Sequence, residues 1–180
     1  MPKLVGLVRG INVGGANLVK MADLRAFVEE LGATEVATLL QSGNFVFEAG
    51  RRSAAAWQRI LASESHKRLG IKPDFFVRTK AQWTGLVHEN PFKKEAKSDP
   101  AKTIAIVFNS LPTRKGVEAI KSDYKGPERI ALGKHALYVF YPNGMGASKL
   151  SANSAWRKLT ASGTARNWNT VLKLAEMLGR

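Results

Sequence analysis

The 180-residue, 19.7 kDa chain is 44% apolar, which leaves room for one domain or two small ones and excludes a disordered chain. It has no cysteine, so disulfides, thiol catalysis and cysteine-ligated zinc or iron–sulfur centres are excluded. Its 28 basic against 14 acidic residues give a net charge of +14, which points to a phosphate-bearing or polyanionic partner, with solubility as the bland alternative.

The expected elements begin with an apolar strand, Leu4–Arg9, and a loop, Gly10–Lys20. A helix over Met21–Leu31 puts Leu24, Phe27, Val28 and Leu31 on one face and stops at Gly32. Short strands follow at Val36–Leu40 and Phe45–Glu48, joined by the turn Gln41-Ser42-Gly43-Asn44. Ser53 caps a helix ended by Gly70, Asp74–Arg78 is a strand, and Thr79 to Gln82 reads as a capping box for another helix.

Asn90–Lys102, with two prolines, four lysines and little apolar content, reads as a linker. The order then repeats: strand Thr103–Phe108, helix Thr113–Ser122, strands Arg129–Leu132 and Ala136–Tyr141. A glycine-rich loop, helix Ser148–Leu159, strand Gly163–Arg166 and a final helix complete it. The pattern predicts an α+β fold of two tandem ferredoxin-like (split βαβ) plaits, each with an additional C-terminal helix. Their limits are residues 1–90 and 103–180, with 91–102 between them. The ends of the halves look alike: Arg78 precedes Trp83, and Arg166 precedes Trp168.

Plait topology decides which loops are neighbours. With strands ordered 4-1-3-2, the loop Arg9-Gly10-Ile11-Asn12-Val13-Gly14-Gly15 and the turn Gln41–Asn44 share one end of the first sheet. In the second half, Asn143-Gly144-Met145-Gly146-Ala147-Ser148-Lys149 and Arg166-Asn167-Trp168-Asn169-Thr170 share the opposite end of theirs. Arg9, Gly10, Asn12, Gly14, Gly15, Gln41, Ser42, Gly43 and Asn44 are therefore candidate ligand contacts on one side. Ser148, Lys149, Arg166, Asn167, Trp168 and Asn169 are candidates on the other.

Each has a plainer reading. The glycines can simply supply positive φ, Gln41–Asn44 can be only a tight turn, Asn167 or Asn169 can cap a helix, and Trp168 can be core. Ser148 is read as a helix N-cap with Lys149 in the first turn, where a lysine opposes the macrodipole unless an anion neutralises it. The first loop is neither a Walker A loop, since Ala16-Asn17 stands where Lys-Ser/Thr is required, nor a dinucleotide fingerprint.

Ser122-x-x-Lys125 lacks its companion motifs, and His66, His88 and His135 have no metal-ligand spacing. No carboxylate pair is tied to the loops, so no catalytic residue or cofactor is assigned. The RNA-recognition signature on a third strand is matched only in part by Gly43–Phe47, and Leu4–Arg9 offers no stacking aromatic. No run is long enough to span a bilayer and the first twenty residues lack a signal-peptide core, so a cytoplasmic location is expected.

On Arg9–Gly15, Gln41–Asn44, Ser148-Lys149-Leu150 and Arg166–Thr170, in this order, the chain resembles a mainly bacterial family catalogued as domain of unknown function 1697. The resemblance implies a pair of ferredoxin-like plaits and names no reaction. Members often carry lysine after the double glycine, where this chain has Ala16, with Lys20 close in sequence. The leading expectation is a site for a small phosphate- or carboxylate-bearing ligand, such as a nucleotide. Residues 91–180 carry +10 of the charge, 16 basic against 6 acidic residues, so the alternative is non-catalytic nucleic-acid binding by this half. A protein-interaction module using an open sheet face is the third reading.

Overall fold

A computed structural model describes residues 1–15 and 17–179 of the chain. The first half holds β1 (Lys3–Val8), α1 (Met21–Glu30), β2 (Thr34–Leu39), β3 (Asn44–Glu48), α2 (Ala54–Leu69), β4 (Phe75–Thr79) and α3 (Lys80–Glu89). It continues with α4 (Lys93–Ser98), β5 (Thr103–Phe108), α5 (Arg114–Asp123), β6 (Arg129–Leu132) and β7 (Leu137–Phe140). The last elements are α6 (Ser154–Thr160), β8 (Gly163–Asn167) and α7 (Trp168–Gly179).

Local signals explain most boundaries. The Ser53 hydroxyl accepts from the Ala56 N–H, and Gly70 closes α2 in the left-handed conformation at φ 70°. The capping box at α3 is reciprocal: Gln82 N–H donates to the Thr79 hydroxyl at 3.2 Å, and Thr79 N–H donates to Gln82 Oε1 at 2.9 Å. Thr113 caps α5 through Gly116 N–H.

The strands form two four-stranded antiparallel sheets, ordered β2-β3-β1-β4 and β6-β7-β5-β8, so the fold is mixed α+β. Because β1 and β2 both run antiparallel to β3, the loops that follow them lie at one end of the first sheet. The chain divides into two compact units, Met1–Thr84 with Leu174–Arg180, and Gly85–Lys173. In the first, Phe27, Phe45, Phe47, Leu61 and Phe75 pack around Trp57, whose indole meets Phe47 edge-on at 4.9 Å and donates to the Ala49 carbonyl. In the second, Ile104, Ile106, Val117, Ile120, Val139 and Trp156 form the core.

Two segments differ from expectation. Residues 148–159 do not form one helix: two short 3-10 turns, Met145–Ala147 and Leu150–Ala152, precede α6, whose cap is Asn153, accepting from Trp156 N–H at 2.9 Å. Asn153 outcompetes Ser148 because the Ser148 hydroxyl is already used by the Leu150 N–H at 3.0 Å. The stretch read as a linker contains α4, anchored by buried Phe92 and Ala96. Arg129 lies 5.0 Å over Phe92 and 5.2 Å over Phe140 and pairs with Glu95 on α4. One aromatic ring and one alanine suffice there, too few to register as apolar periodicity. Among the described residues no helix is long and apolar enough to cross a membrane.

Candidate functional site

At the end of the first sheet the two expected segments meet. The Asn12 carboxamide ties them: Nδ2 donates to the carbonyls of Val19 at 2.8 Å and Gln41 at 2.7 Å, and Oδ1 accepts from Val19 N–H at 2.8 Å. Val8 N–H donates to the Gly43 carbonyl at 2.8 Å. Asn12, at φ 56°, therefore serves as the staple of the loop, with its amide occupied. Asn44 is wholly buried and donates from Nδ2 to the Leu39 carbonyl and the Ser42 hydroxyl, so it holds the turn.

The glycines separate into two kinds. A Cβ on Gly43 would stand 2.7 Å from Ile11 Cδ1 and 2.8 Å from Val8 Cβ, so this glycine is a packing requirement. Gly14 and Gly15, at φ 59° and 77°, have nothing among the described residues within 4 Å of a Cβ position. No hydrogen bond among the described residues uses their N–H groups. Ala16 lies outside the described residues.

Arg9 is half-exposed beside this loop. Its N–H donates to the Asp74 carbonyl at 3.0 Å, and Nη1 pairs with the Asp74 carboxylate at 3.2 Å. An exposed pair of this kind is worth under about 1 kcal/mol, and the guanidinium keeps further donors. Asp74 had no signal of its own in the sequence. It reaches the loop because β4 pairs with β1, with Phe75 opposite Val8.

The second-half pair is arranged differently. Arg166 in β8 is 8% exposed, and Nη1 donates to Thr164 Oγ1 at 2.8 Å and the Ala165 carbonyl at 2.7 Å. Burial lowers its guanidinium pKa to about 10. Asn167 caps α7 by accepting from the Thr170 N–H and hydroxyl, and Trp168 packs 6.4 Å from Tyr138. Asn169 is exposed. Ser148 lies with Ala165 on a cavity of about 200 Å³ beneath α6. Arg166, the next residue along the strand, points to the other face, so these two expected neighbours are not brought together.

Ser148 instead faces a carboxylate that the sequence reading did not tie to it. Burial pushes the Glu128 carboxyl up, but the nearby Ser148 and Tyr124 hydroxyls favour its charged form and the balance lies below the ordinary range, while Glu128 Oε2 itself has no hydrogen-bond partner among the described residues. Tyr124, Glu128, Asn143 and exposed Lys149 line a cleft of about 370 Å³. Lys149 precedes a 3-10 turn, not an α-helix, so the macrodipole argument does not apply to it.

Arg78 in β4 stands opposite Val5 as Arg166 in β8 stands opposite Ala105. Each donates to the carbonyl of the residue before it, at 2.8 and 2.7 Å. The likeness of the two halves thus reaches individual side chains. His135 is more engaged than its sequence setting implied, with Nδ1 3.1 Å from the Glu89 carboxylate. No group of three metal-ligating side chains exists among the described residues. All six residues of β5 are buried, so that strand presents no open face.

The chain is similar in fold to the conserved bacterial protein SP0830 from Streptococcus pneumoniae, with a TM-score of 0.74, 23% identity and 98% of each chain covered. No curated protein matches it. A family model described as "Protein of unknown function (DUF1697)" matches residues 1–138, and the chain belongs to that family.

Proposed function

We propose that the chain is a tandem of two ferredoxin-like plaits, residues 1–90 and 103–180 joined by 91–102, and that the first binds a small phosphate- or carboxylate-bearing ligand. The strand orders, with α1, α2, α5 and α6 as crossovers, support the plait reading. The ligand site is the loop after β1, with Arg9 and the N–H groups of Gly14 and Gly15 as donors and the Gln41–Gly43 turn as its wall.

One observation carries this. The loop is held by Asn12, yet among the described residues nothing accepts from the N–H groups of its exposed left-handed glycines, which lie beside a half-exposed guanidinium. Successive N–H groups in such conformations form a concavity for anions, and a loop already held in place loses little entropy on binding. Arg166 is already engaged by Thr164 and Ala165, which favours a structural role for it. The composition of the site favours recognition of an anion.

The test is a thermal-unfolding screen with inorganic phosphate, nucleotides and short oligonucleotides at low and high salt. A native-state ligand raises the midpoint in proportion to its affinity. The proposal expects stabilisation by phosphate-bearing small molecules that is lost in Arg9→Ala. Stabilisation by oligonucleotides alone, steeply weakened by salt and lost when Lys93, Lys94, Lys97 and Lys102 are neutralised, would place function on a nucleic acid.

A further inference from the structure

The loop end carries a feature that an inorganic anion leaves unused. Val13, Leu18 and Leu40 are 65%, 74% and 60% exposed, half of the exposed large apolar residues among those described. Isolated exposed aliphatic residues need no explanation, but these three stand on segments tied together by one side chain. The Asn12 carboxamide binds Val19 and Gln41, so Val13, Leu18 and Leu40 each adjoin a residue of that staple.

Leu40 adds an independent sign. Its φ of 58° lies in the left-handed region, where a bulky side chain is strained and glycine would be relaxed. Its side chain is exposed and so gains little from packing within the chain. The structure thus keeps a strained leucine where the backbone alone would favour glycine.

Three side chains are far fewer than a stable protein interface requires, since such interfaces bury about 800 Å² on each partner. They are the right scale for one face of a small molecule. Arg9, paired with Asp74 but with donors to spare, and exposed Lys20 flank the same loop, so complementarity asks for an anionic acceptor on that molecule. Resting on the anion-site reading, we infer that the ligand is a phosphate ester of an aromatic or nucleoside-type group. Its phosphate lies at Arg9, Gly14 and Gly15, and its flat apolar body lies against Val13, Leu18 and Leu40.

Calorimetric titration of the full chain with inorganic phosphate, phenyl phosphate and adenosine 5′-monophosphate tests this. The esters are expected to bind roughly tenfold or more tightly than phosphate, from the apolar area they cover. The combined Leu18→Ser, Leu40→Gly variant is expected to lose that advantage while still binding phosphate as wild type does. Glycine suits the backbone at position 40, so the unfolding midpoint, measured in parallel, is expected to change little.

Equal affinity for phosphate and both esters would overturn the inference and leave the anion site standing. So would ester binding that the variant does not weaken. Binding of none of the three would overturn both readings. A dimer in sedimentation that Leu18→Ser disperses would put a second copy of the chain on these side chains and overturn the inference alone. If only one ester gains affinity, the aromatic and nucleoside sources are separated and the inference holds.

Discussion

Gly43 and Gly14 are indistinguishable as letters, yet one fills a contact and the other has no neighbour at its Cβ position among the described residues. Gly43→Ala forces a methyl into Ile11 and Val8 at a positive φ and is expected to cost about 2 kcal/mol of stability, read from urea unfolding. Gly14→Ala meets no atom of the described residues, so only its backbone conformation is strained, and its expected cost is about 1 kcal/mol. Asn12→Ala removes three hydrogen bonds from a partly buried carboxamide. An expected loss of about 2 kcal/mol, again from urea unfolding, should accompany loss of anion binding, because the loop loses its staple. Sequence spacing identified Asn12 as important and assigned it to a ligand. Its role in joining Val19 to Gln41 depended on the folded loop and had no sequence signature.

At the level of elements, the capping residues were readable wherever the cap is local. Ser53, Thr79 with Gln82, and Thr113 all bond within three residues of themselves. The start of α6 was not readable, because Ser148 and Asn153 both make plausible caps and the choice depends on what else Ser148 bonds. Asn153→Ala is therefore expected to destabilise α6 by about 1 kcal/mol, whereas Ser148→Ala should leave the helical circular-dichroism signal unchanged. Glu128 supplies a pH dependence. Its folded-state pKa lies below the ordinary value, so its contribution is present above the unfolded pKa and is lost as pH falls through the folded one. Glu128→Gln should be less stable than wild type at pH 7 and lose that disadvantage as pH falls below the ordinary carboxylate range, as compared by urea midpoints across an acid pH series.

For the whole molecule, the alternation of strands and helices was enough to specify two antiparallel sheets with matching strand orders. Long-range pairing then placed Asp74 beside Arg9 and turned Arg166 away from Ser148, and neither follows from local spacing. Within the segment 91–102, the buried Phe92 lies under Arg129, a contact that its charge and low apolar content do not announce. Charge is also a poor guide to the site, because most of the +14 excess lies beyond residue 90, while the proposed anion loop depends on backbone N–H groups and one guanidinium. The decisive measurement is nuclear magnetic resonance of the labelled chain during titration with inorganic phosphate. Saturable shifts of the Gly14 and Gly15 amide protons, with smaller ones at Arg9 and Gln41–Gly43, are the predicted result. Unmoved glycine amides, with shifts concentrated at Lys93, Lys94 and Lys97, would contradict the account.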